Sequence, residues 1–212
     1  MLACWRFKMT NRLSSEVGGQ RAKPEMPVDL SAFSTRGFER GAGRFKEAVW
    51  LVVSRMLFQW CPFCLSPLKR LVLRLFGASV GRGVVIKPEV RITFPWKLKL
   101  GDYVWLGEEC WLLNLAPITI ASHACISQRA FLCTGNHDYT APTFNLITRS
   151  IEIGQGAWIC AGAFVGPGVT VGSHAALTAG SVAAKDLEPY GIYRGNPASL
   201  IKRRHIIAEN KA

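Results

Sequence analysis

Residues 153–182 read IGQGAW, ICAGAF, VGPGVT, VGSHAA and LTAGSV, five successive groups of six that each begin with an aliphatic residue. The fifth residue of every group is small or β-branched. This period fits neither an amphipathic helix, which repeats about every 3.6 residues, nor a strand that alternates every second residue. A fixed short period is instead typical of a solenoid, in which equivalent units stack on one another. We therefore expect each unit to form a short strand and a turn, and three units to close one triangular coil.

The same period extends upstream to Val80. Blocks of three units begin at Val80, Leu100 and Ile120, and two extra residues separate each block from the next. Extra residues of this kind are expected at the corners of a solenoid, where they protrude without disturbing the stacked walls. About five coils result. The sequence therefore predicts a mainly β fold, a parallel β-helix over residues 78–187.

The chain before the repeat divides into an arm and a helical segment. Residues 1–43 show no periodicity and are predicted to be an irregular N-terminal arm. Residues 44–77 are predicted to form two helices, of which the first has a broad apolar stripe and the second runs from Ser66 as N-cap to Gly77. The helices either cap the end of the solenoid, which we favour, or lie in a membrane interface. Their apolar run is too short to span a bilayer.

Composition limits the partners and the compartment. The net charge of +12, from 26 lysines and arginines against 14 acidic residues, favours an anionic partner such as a phosphorylated cofactor, nucleic acid or a membrane surface. Residues 188–212 are predicted to be a basic C-terminal tail.

The seven cysteines are an odd number without the spacing of a disulfide framework, which indicates the reducing cytoplasm. Cys61 and Cys64 have a metal-site spacing, but no second pair completes four ligands, so we expect no metal there.

One interruption of the repeat carries candidate chemistry. From Leu132 to Ile153 the chain advances 21 residues instead of 18, and the segment includes GNHDYT at residues 135–140. Because a flat solenoid wall has no cleft, we expect catalysis to depend on this loop, residues 134–150. Its histidine, His137, can accept a proton from an attacking hydroxyl group near neutral pH.

The other histidines are weaker candidates. They are His123 and His174, which fall in predicted turns, and His205, which falls in the tail. A metal site in a β-helical enzyme needs three histidines that converge on one ion, and these positions give no such trio.

Several motifs together resemble a known family. They are FPW at residues 94–96, WLLNLAPITI at 111–120, ISQ at 126–128, CTGNHDY at 133–139 and GNPA at 195–198. The set is similar to the colanic acid biosynthesis acetyltransferases, a branch of the hexapeptide-repeat acyltransferases that also holds the maltose and galactoside acetyltransferases. The similarity covers about residues 28–204 and implies a left-handed parallel β-helix. It also implies a homotrimer that binds acetyl-CoA in a groove between subunits and uses no metal.

The resemblance further implies roles for residues on the acceptor side. His137 matches the general base of the family. Asn114, one coil earlier, matches a polar position that holds the acceptor, although a structural asparagine at a turn is an equally good interpretation. Asp138 is expected either to orient the imidazole beside the substrate or to shape the loop.

On the cofactor side, the resemblance implies contacts from five residues. Trp158 matches an aromatic residue that packs against the cofactor, although a tryptophan in the core or in a trimer interface is nearly as good an interpretation. The backbones of Ala179 and Ala184 match positions that bond the pantetheine arm. Lys185 matches a basic residue near the phosphates, and Lys202 extends that basic surface.

These features predict an acetyl-CoA-dependent O-acetyltransferase that acts on a sugar hydroxyl group in exopolysaccharide or lipopolysaccharide biosynthesis. We expect it in the cytoplasm, with the inner face of the membrane as a further location. Two alternatives stay open: N-acetylation of an aminosugar, and a basic membrane-associated scaffold without catalysis. A sugar nucleotidyltransferase is not expected, because no phosphate-binding glycine loop precedes Val80. Nucleic acid is not expected as a partner.

Overall fold

The computed structural model describes residues 26–35, 37–60 and 66–207, so Cys61 and Cys64 lie outside the described residues. A short 3₁₀ helix (Leu30–Ala32) precedes two longer helices, a solenoid of short strands follows, and a hairpin comes after the solenoid. The helices are α1 (Arg44–Ser54), its π-helical continuation (Arg55–Trp60), α2 (Ser66–Leu75) and a second 3₁₀ helix (Pro95–Lys97). The strands are β1 (Ser79–Val80), β2 (Val85–Ile86), β3 (Arg91–Ile92), β4 (Leu98–Leu100), β5 (Trp105–Leu106), β6 (Trp111–Leu113), β7 (Ile118–Ile120), β8 (Cys125–Ile126), β9 (Phe131–Cys133), β10 (Gly135–His137), β11 (Leu146–Thr148), β12 (Ile151–Ile153), β13 (Trp158–Ile159), β14 (Phe164–Val165), β15 (Thr170–Val171), β16 (Ala176–Leu177), β17 (Val182–Ala183), β18 (Gly191–Gly195) and β19 (Ala198–Arg203).

The strands form three walls of a triangular solenoid. Sheet A has the order β1-β4-β7-β12-β15, sheet B the order β2-β5-β8-β13-β16-β18-β19, and sheet C the order β3-β6-β9-β14-β17. The chain visits sheets A, B and C in turn, so five complete coils stack, and β18 adds part of a sixth. The predicted mainly β fold, a parallel β-helix with an N-terminal helical segment, is confirmed.

Aliphatic side chains form a continuous column inside each wall. In sheet A, Leu100, Ile120, Ile153 and Val171 pair in register from coil to coil, and each is at most 3% exposed. Full burial of such a side chain is worth about 1.5–3 kcal/mol. Neighbouring coils therefore stabilise strands of two or three residues that would not be stable alone.

Glycines mark the corner between sheets A and B because adjacent coils approach closely there. A Cβ atom added to Gly101 would lie 2.5 Å from the backbone nitrogen of Ser122 in the next coil. A Cβ atom on Gly154 would lie equally close to the nitrogen of Ser173. No side chain fits at that distance, which explains why glycine follows the aliphatic residue in these units.

Helix α2 covers the open end of the solenoid. Along the strands, the N–H groups of each coil bond carbonyl groups of the following coil, so the corresponding carbonyl groups along the strands of the first coil have no partner strand. Three basic side chains of α2 donate to these carbonyls, Lys69 to Ile86 and Lys87, Arg70 to Val84, and Arg74 to Val80. A buried polar group without a partner costs about 1–3 kcal/mol. The basic character of α2 therefore compensates for the missing coil, which supports the capping interpretation.

None of the described segments has the length and hydrophobicity of a helix that crosses a bilayer.

The N-terminal arm follows the edge where the chain passes from sheet C to sheet A, here called the C–A edge. At its start, the backbone nitrogen of Asp29 donates to the carbonyl oxygen of Pro142 at 2.9 Å. Farther along, the indole Nε1 of Trp96 donates to the carbonyl oxygen of Arg40 at 2.6 Å. The arm therefore connects the loop of residues 134–150 with the helices at the end of the solenoid.

The C-terminal segment contains more structure than a tail. β18 pairs in parallel with β16 of sheet B, and β19 folds back on β18 as an antiparallel partner. Residues 191–203 therefore extend sheet B beyond the fifth coil.

Candidate active site

The repeat is interrupted at the C–A edge after the third coil. Strand β9 of sheet C ends at Cys133, and the chain enters sheet A again at Ile151. Between them, β10 and β11 form an antiparallel hairpin in which His137 pairs with Leu146. The segment predicted as a catalytic loop is therefore an ordered hairpin that carries His137.

Three contacts hold the half-buried imidazole of His137. Its Nδ1 atom lies 2.9 Å from the backbone carbonyl oxygen of Phe144. The ring of Phe144 stacks on the imidazole with 4.4 Å between centroids and 6° between planes. The ring of Phe33, from the N-terminal arm, lies 5.8 Å away in a tilted orientation. The imidazole is thus fixed from the hairpin and from the arm.

The contact with Phe144 determines which ring nitrogen of His137 carries the proton. A carbonyl oxygen can only accept, so Nδ1 donates and carries the hydrogen. In the neutral imidazole, Nε2 then has a free lone pair, which is what a general base requires. Phe144 has a φ of 48°, an uncommon conformation for a bulky residue, and such conformations concentrate at functional sites.

Asp138 shapes the hairpin and does not contact the imidazole. Its Oδ1 atom accepts hydrogen bonds from the backbone nitrogen and the hydroxyl group of Thr140 at 3.0 and 2.6 Å. The hydroxyl bond above all, and then the backbone bonds, lower the pKa of the Asp138 carboxyl group. Of its two predicted roles, shaping the loop is the one that this geometry supports.

Asn114 holds a turn of the solenoid. The side chain is fully buried, and its Oδ1 atom accepts from the backbone nitrogens of Thr93 and Phe94 at 3.1 and 2.9 Å. Its Nδ2 atom donates to the carbonyl oxygen of Phe94 at 2.6 Å. The predicted direct contact with an acceptor is not supported, because the amide is committed to this turn. The structural interpretation of Asn114 is the one that fits.

The residues predicted on the cofactor side lie on two separate parts of the solenoid. Trp158 points outward from sheet B, and Ala179 lies in the turn between sheets B and C. Ala184 and Lys185 follow β17 at the C–A edge, the same edge that carries the His137 hairpin. One protomer therefore does not bring all of these residues to one side.

The surface beside Trp158 is open and lined by small residues. Trp158 is 45% exposed, and its indole Nε1 donates to the hydroxyl group of Ser127 at 2.9 Å. At the adjoining turns, a Cβ atom on Gly162 or Gly180 would meet no heavy atom within 4 Å. These two turns therefore leave open surface beside Trp158.

Some of the basic residues near the C-terminal end of the solenoid form ion pairs or hydrogen bonds within the described chain, and others do not. Lys185 and Lys202 are exposed, and neither forms an ion pair within the described part of the chain. Arg203 bonds Glu188 at 2.6 Å, and Arg204 donates to the carbonyl oxygen of Gly156 at 3.1 Å. Lys202 is therefore the residue of its basic run that remains available for a phosphate group.

The other histidines occupy turns, as expected. His123 and His174 have positive φ values of 62° and 60°, and they stack on Tyr103 and Tyr190. Across residues 26–35, 37–60 and 66–207, no group of three His, Cys, Asp or Glu side chains is placed to hold a metal ion.

Two residues of the site were not predicted from the sequence. Phe144 and Phe33 both contact His137, but neither belongs to the six-residue repeat. Phe33 lies in the arm, more than 100 positions before His137. No periodic or motif signal marks a contact of that kind.

No protein-family profile matches the chain. The chain is 44% identical, over 177 residues, to the Escherichia coli K12 protein named as a colanic acid biosynthesis acetyltransferase, WcaF. The alignment covers 83% of this chain and 97% of that relative.

Two solved structures share the fold. One is a hexapeptide-repeat acetyltransferase from Vibrio cholerae complexed with acetyl-CoA, with a TM-score of 0.70, 20% identity, and coverage of 81% of this chain and 95% of that one. The other is a maltose O-acetyltransferase from Clostridium difficile 630, with a TM-score of 0.67, 22% identity, and coverage of 76% and 88%. At these identities the likeness concerns the fold, the left-handed β-helix.

Proposed function

The chain belongs to the hexapeptide-repeat acetyltransferases of the colanic acid biosynthesis type, and from this we propose that it transfers an acetyl group from acetyl-CoA to a sugar hydroxyl group in exopolysaccharide or lipopolysaccharide assembly. The observation that carries the proposal is the hydrogen bond between His137 Nδ1 and the Phe144 carbonyl oxygen. This bond leaves Nε2 free to accept a proton.

The proposed reaction is a direct acyl transfer. The acceptor oxygen attacks the thioester carbonyl carbon of acetyl-CoA while Nε2 of His137 takes the hydroxyl proton. As the new C–O bond forms, the C–S bond breaks, and the proton passes from His137 to the CoA thiolate. A positioned base is worth about 10²–10⁴ in rate.

Acetyl-CoA is proposed to lie in a groove between subunits. Trp158 and Ala179 would contact it from the sheet B side, and Ala184 would bond the pantetheine arm from the C–A edge. Lys185 and Lys202 would bind its phosphates, since charge-assisted hydrogen bonds to phosphate are among the stronger polar contacts.

This arrangement needs more than one copy of the chain. A cyclic trimer in which sheet B of one subunit faces the C–A edge of the next would bring the two groups of residues together. Exposed aromatic side chains on sheet B support such an interface, since Trp105 is 58% exposed and Trp158 lies two strands farther along the same wall.

The proposed location is the cytoplasm, with the inner face of the membrane as a further location. The free thiols Cys110, Cys125, Cys133 and Cys160 of the described chain are consistent with a reducing compartment. Exposed apolar side chains on the outer faces of α1 and α2, such as Val52 and Leu71, support peripheral contact with lipid.

The test is acetyl transfer by the full chain to a panel of matched sugars and aminosugars, with mass spectrometry of the products. Ester products on hydroxyl acceptors support O-acetylation, and amide products on amine acceptors alone would replace it with N-acetylation. His137→Ala should lower kcat by about 10²–10⁴. His205→Ala, a change in an exposed histidine of the C-terminal segment, should retain full activity. A His137→Ala protein with normal turnover would refute the proposed base.

A further inference from the structure

A groove lies between α1 and sheet C. Along the solenoid axis, it is on the N-terminal side of the His137 hairpin. Helix α1 contributes Arg44 and Leu51 to its lining, and the π-helical continuation contributes Arg55. The opposite wall carries Arg91 and Trp111, direct neighbours on β3 and β6. The groove has a volume of about 790 Å³, within the range of small-molecule sites.

The lining of this groove is strongly basic. It includes the four arginines Arg40, Arg44, Arg55 and Arg91, and a single acidic residue, Glu47. Glu47 is already neutralised, because both of its carboxylate oxygens accept from the Nε atom of Arg40, at 2.7 and 2.8 Å. Arg44, Arg55 and Arg91 form no ion pair with any residue of the described chain. Three guanidinium groups are thus available to a ligand.

The groove also offers aromatic surface. Trp111 on its wall is 38% exposed, whereas Phe94 is buried and the ammonium groups of Lys46 and Lys97 already lie over the rings of Trp96 and Phe38. Aromatic rings provide flat apolar contact for the carbon face of a sugar ring. Guanidinium groups match the oxygen pairs of phosphate and carboxylate groups. Together they favour a saccharide that carries an anionic group over a neutral one.

The groove reaches the hairpin that carries the candidate base. Leu115 lines it, and a Cβ atom on Gly135 would lie 3.0 Å from the Cδ1 atom of Leu115. Gly135 begins β10, the strand that ends at His137. Successive coils are about 4.8 Å apart, so a groove beside the first two coils reaches the hairpin that leaves the third. Lys185 lies on the same edge at the fifth coil, on the opposite side of the hairpin.

We infer that the groove of Arg44, Arg55 and Arg91 binds the acceptor, and that this acceptor is a saccharide bearing a phosphate or carboxylate group. The inference rests on the proposed acetyl transfer, in which acetyl-CoA approaches His137 from the Lys185 side. The acceptor then approaches from the arginine side, and His137 lies between the two substrates.

The test measures binding without turnover, so that its outcome is separable from that of the acetyl-transfer assay. Calorimetry on the full chain compares methyl glucoside, methyl glucuronide and glucose 1-phosphate, which are neutral, carboxylate-bearing and phosphate-bearing. At least one anionic sugar should bind about tenfold more tightly than methyl glucoside, since one charge-assisted contact is worth about that factor. The preference should fall as salt rises.

The double variant Arg55→Gln with Arg91→Gln should lose this preference while it keeps its affinity for CoA. Lys99→Gln, which removes an exposed positive charge on sheet A, should keep the preference. Equal affinity of the wild-type protein for neutral and anionic sugars would overturn the inference. So would unchanged anionic-sugar binding by the double variant, or a matching loss of CoA affinity, which would assign the arginines to the phosphates of CoA. Retained anion preference in a protein without transferase activity would leave the groove intact and refute only the proposed reaction.

Discussion

The Nδ1 atom of His137 and the carbonyl oxygen of Phe144 lie 2.9 Å apart across the turn of one hairpin. The same residue that accepts the hydrogen bond also stacks its ring on the imidazole. Phe144 therefore fixes both the tautomer and the orientation of the base, and we treat it as a positioning residue.

Loss of the Phe144 ring should slow the chemical step. Aromatic contacts of this type are worth about 0.5–1.5 kcal/mol, so Phe144→Ala should lower kcat by about three- to tenfold with little change in KM. Steady-state kinetics with both substrates would measure the two constants. Phe144→Tyr, which keeps the ring, should restore kcat, and an equal loss in both variants would contradict a role for stacking.

Phe33 should support the base from the N-terminal arm. Phe33→Ala removes a ring 5.8 Å from the imidazole, so kcat should fall by about threefold. The matched control is Phe45→Ala on α1, where the ring is 84% exposed. Identical steady-state kinetics for the two variants would show that the arm does not act on His137.

The negative charge of Asp138 should not be required for catalysis between about pH 5 and 9. Its pKa is lowered below 3.8 by the bonds from Thr140. Its contribution to the hairpin is therefore complete above pH 3.8 and is lost as the pH falls through the lower folded-state value. Asp138→Asn should leave the pH profile of kcat unchanged over the neutral range. A displaced profile would mean that the carboxylate acts on the imidazole after all.

Asn114 should matter for stability. Asn114→Ala removes three hydrogen bonds and leaves the buried N–H group of Phe94 without a partner among the described residues, whereas the N–H group of Thr93 still bonds Leu112 and the carbonyl oxygen of Phe94 still accepts from Lys97. One unsatisfied buried group costs about 1–3 kcal/mol, so the free energy of unfolding should fall by about that amount. Urea denaturation would measure this. Gln155→Ala, at an exposed amide, should change it by less than about 0.5 kcal/mol, and equal effects would contradict the assigned role.

Cys110 should be inert in the native protein. Burial, above all, raises the pKa of its thiol to about 12, so almost no thiolate forms at pH 8. Maleimide labelling followed by peptide mass spectrometry should modify half-buried Cys125 before Cys110. In denaturant the two thiols should react at similar rates, and rapid native labelling of Cys110 would contradict its burial.

The repeat could be predicted in detail because its cause is local and periodic. An inward aliphatic residue at every sixth position, as at Ile153, Ile159 and Val165, leaves the chain one way to bury all of them. The placement of His137 in the largest interruption was predictable for the same reason. The partners of His137 were not, because a contact between an arm residue such as Phe33 and a hairpin has no periodicity.

Asn114 illustrates what the sequence alone could not show. Its position one coil before the hairpin follows from the repeat, but a position in the sequence does not reveal which groups the side-chain amide bonds. Only the packed structure shows it enclosed by the turn at Phe94.

By itself, the sequence determined the β-helix, the number of coils and the candidate base, because these follow from spacing along the chain. The tertiary structure decided the tautomer of His137, the use of the α2 cations at the open end of the solenoid, and the groove with three arginines that form no ion pair within the described residues. Each of these depends on groups that are distant in sequence and become neighbours only when the arm and helices fold onto the coils.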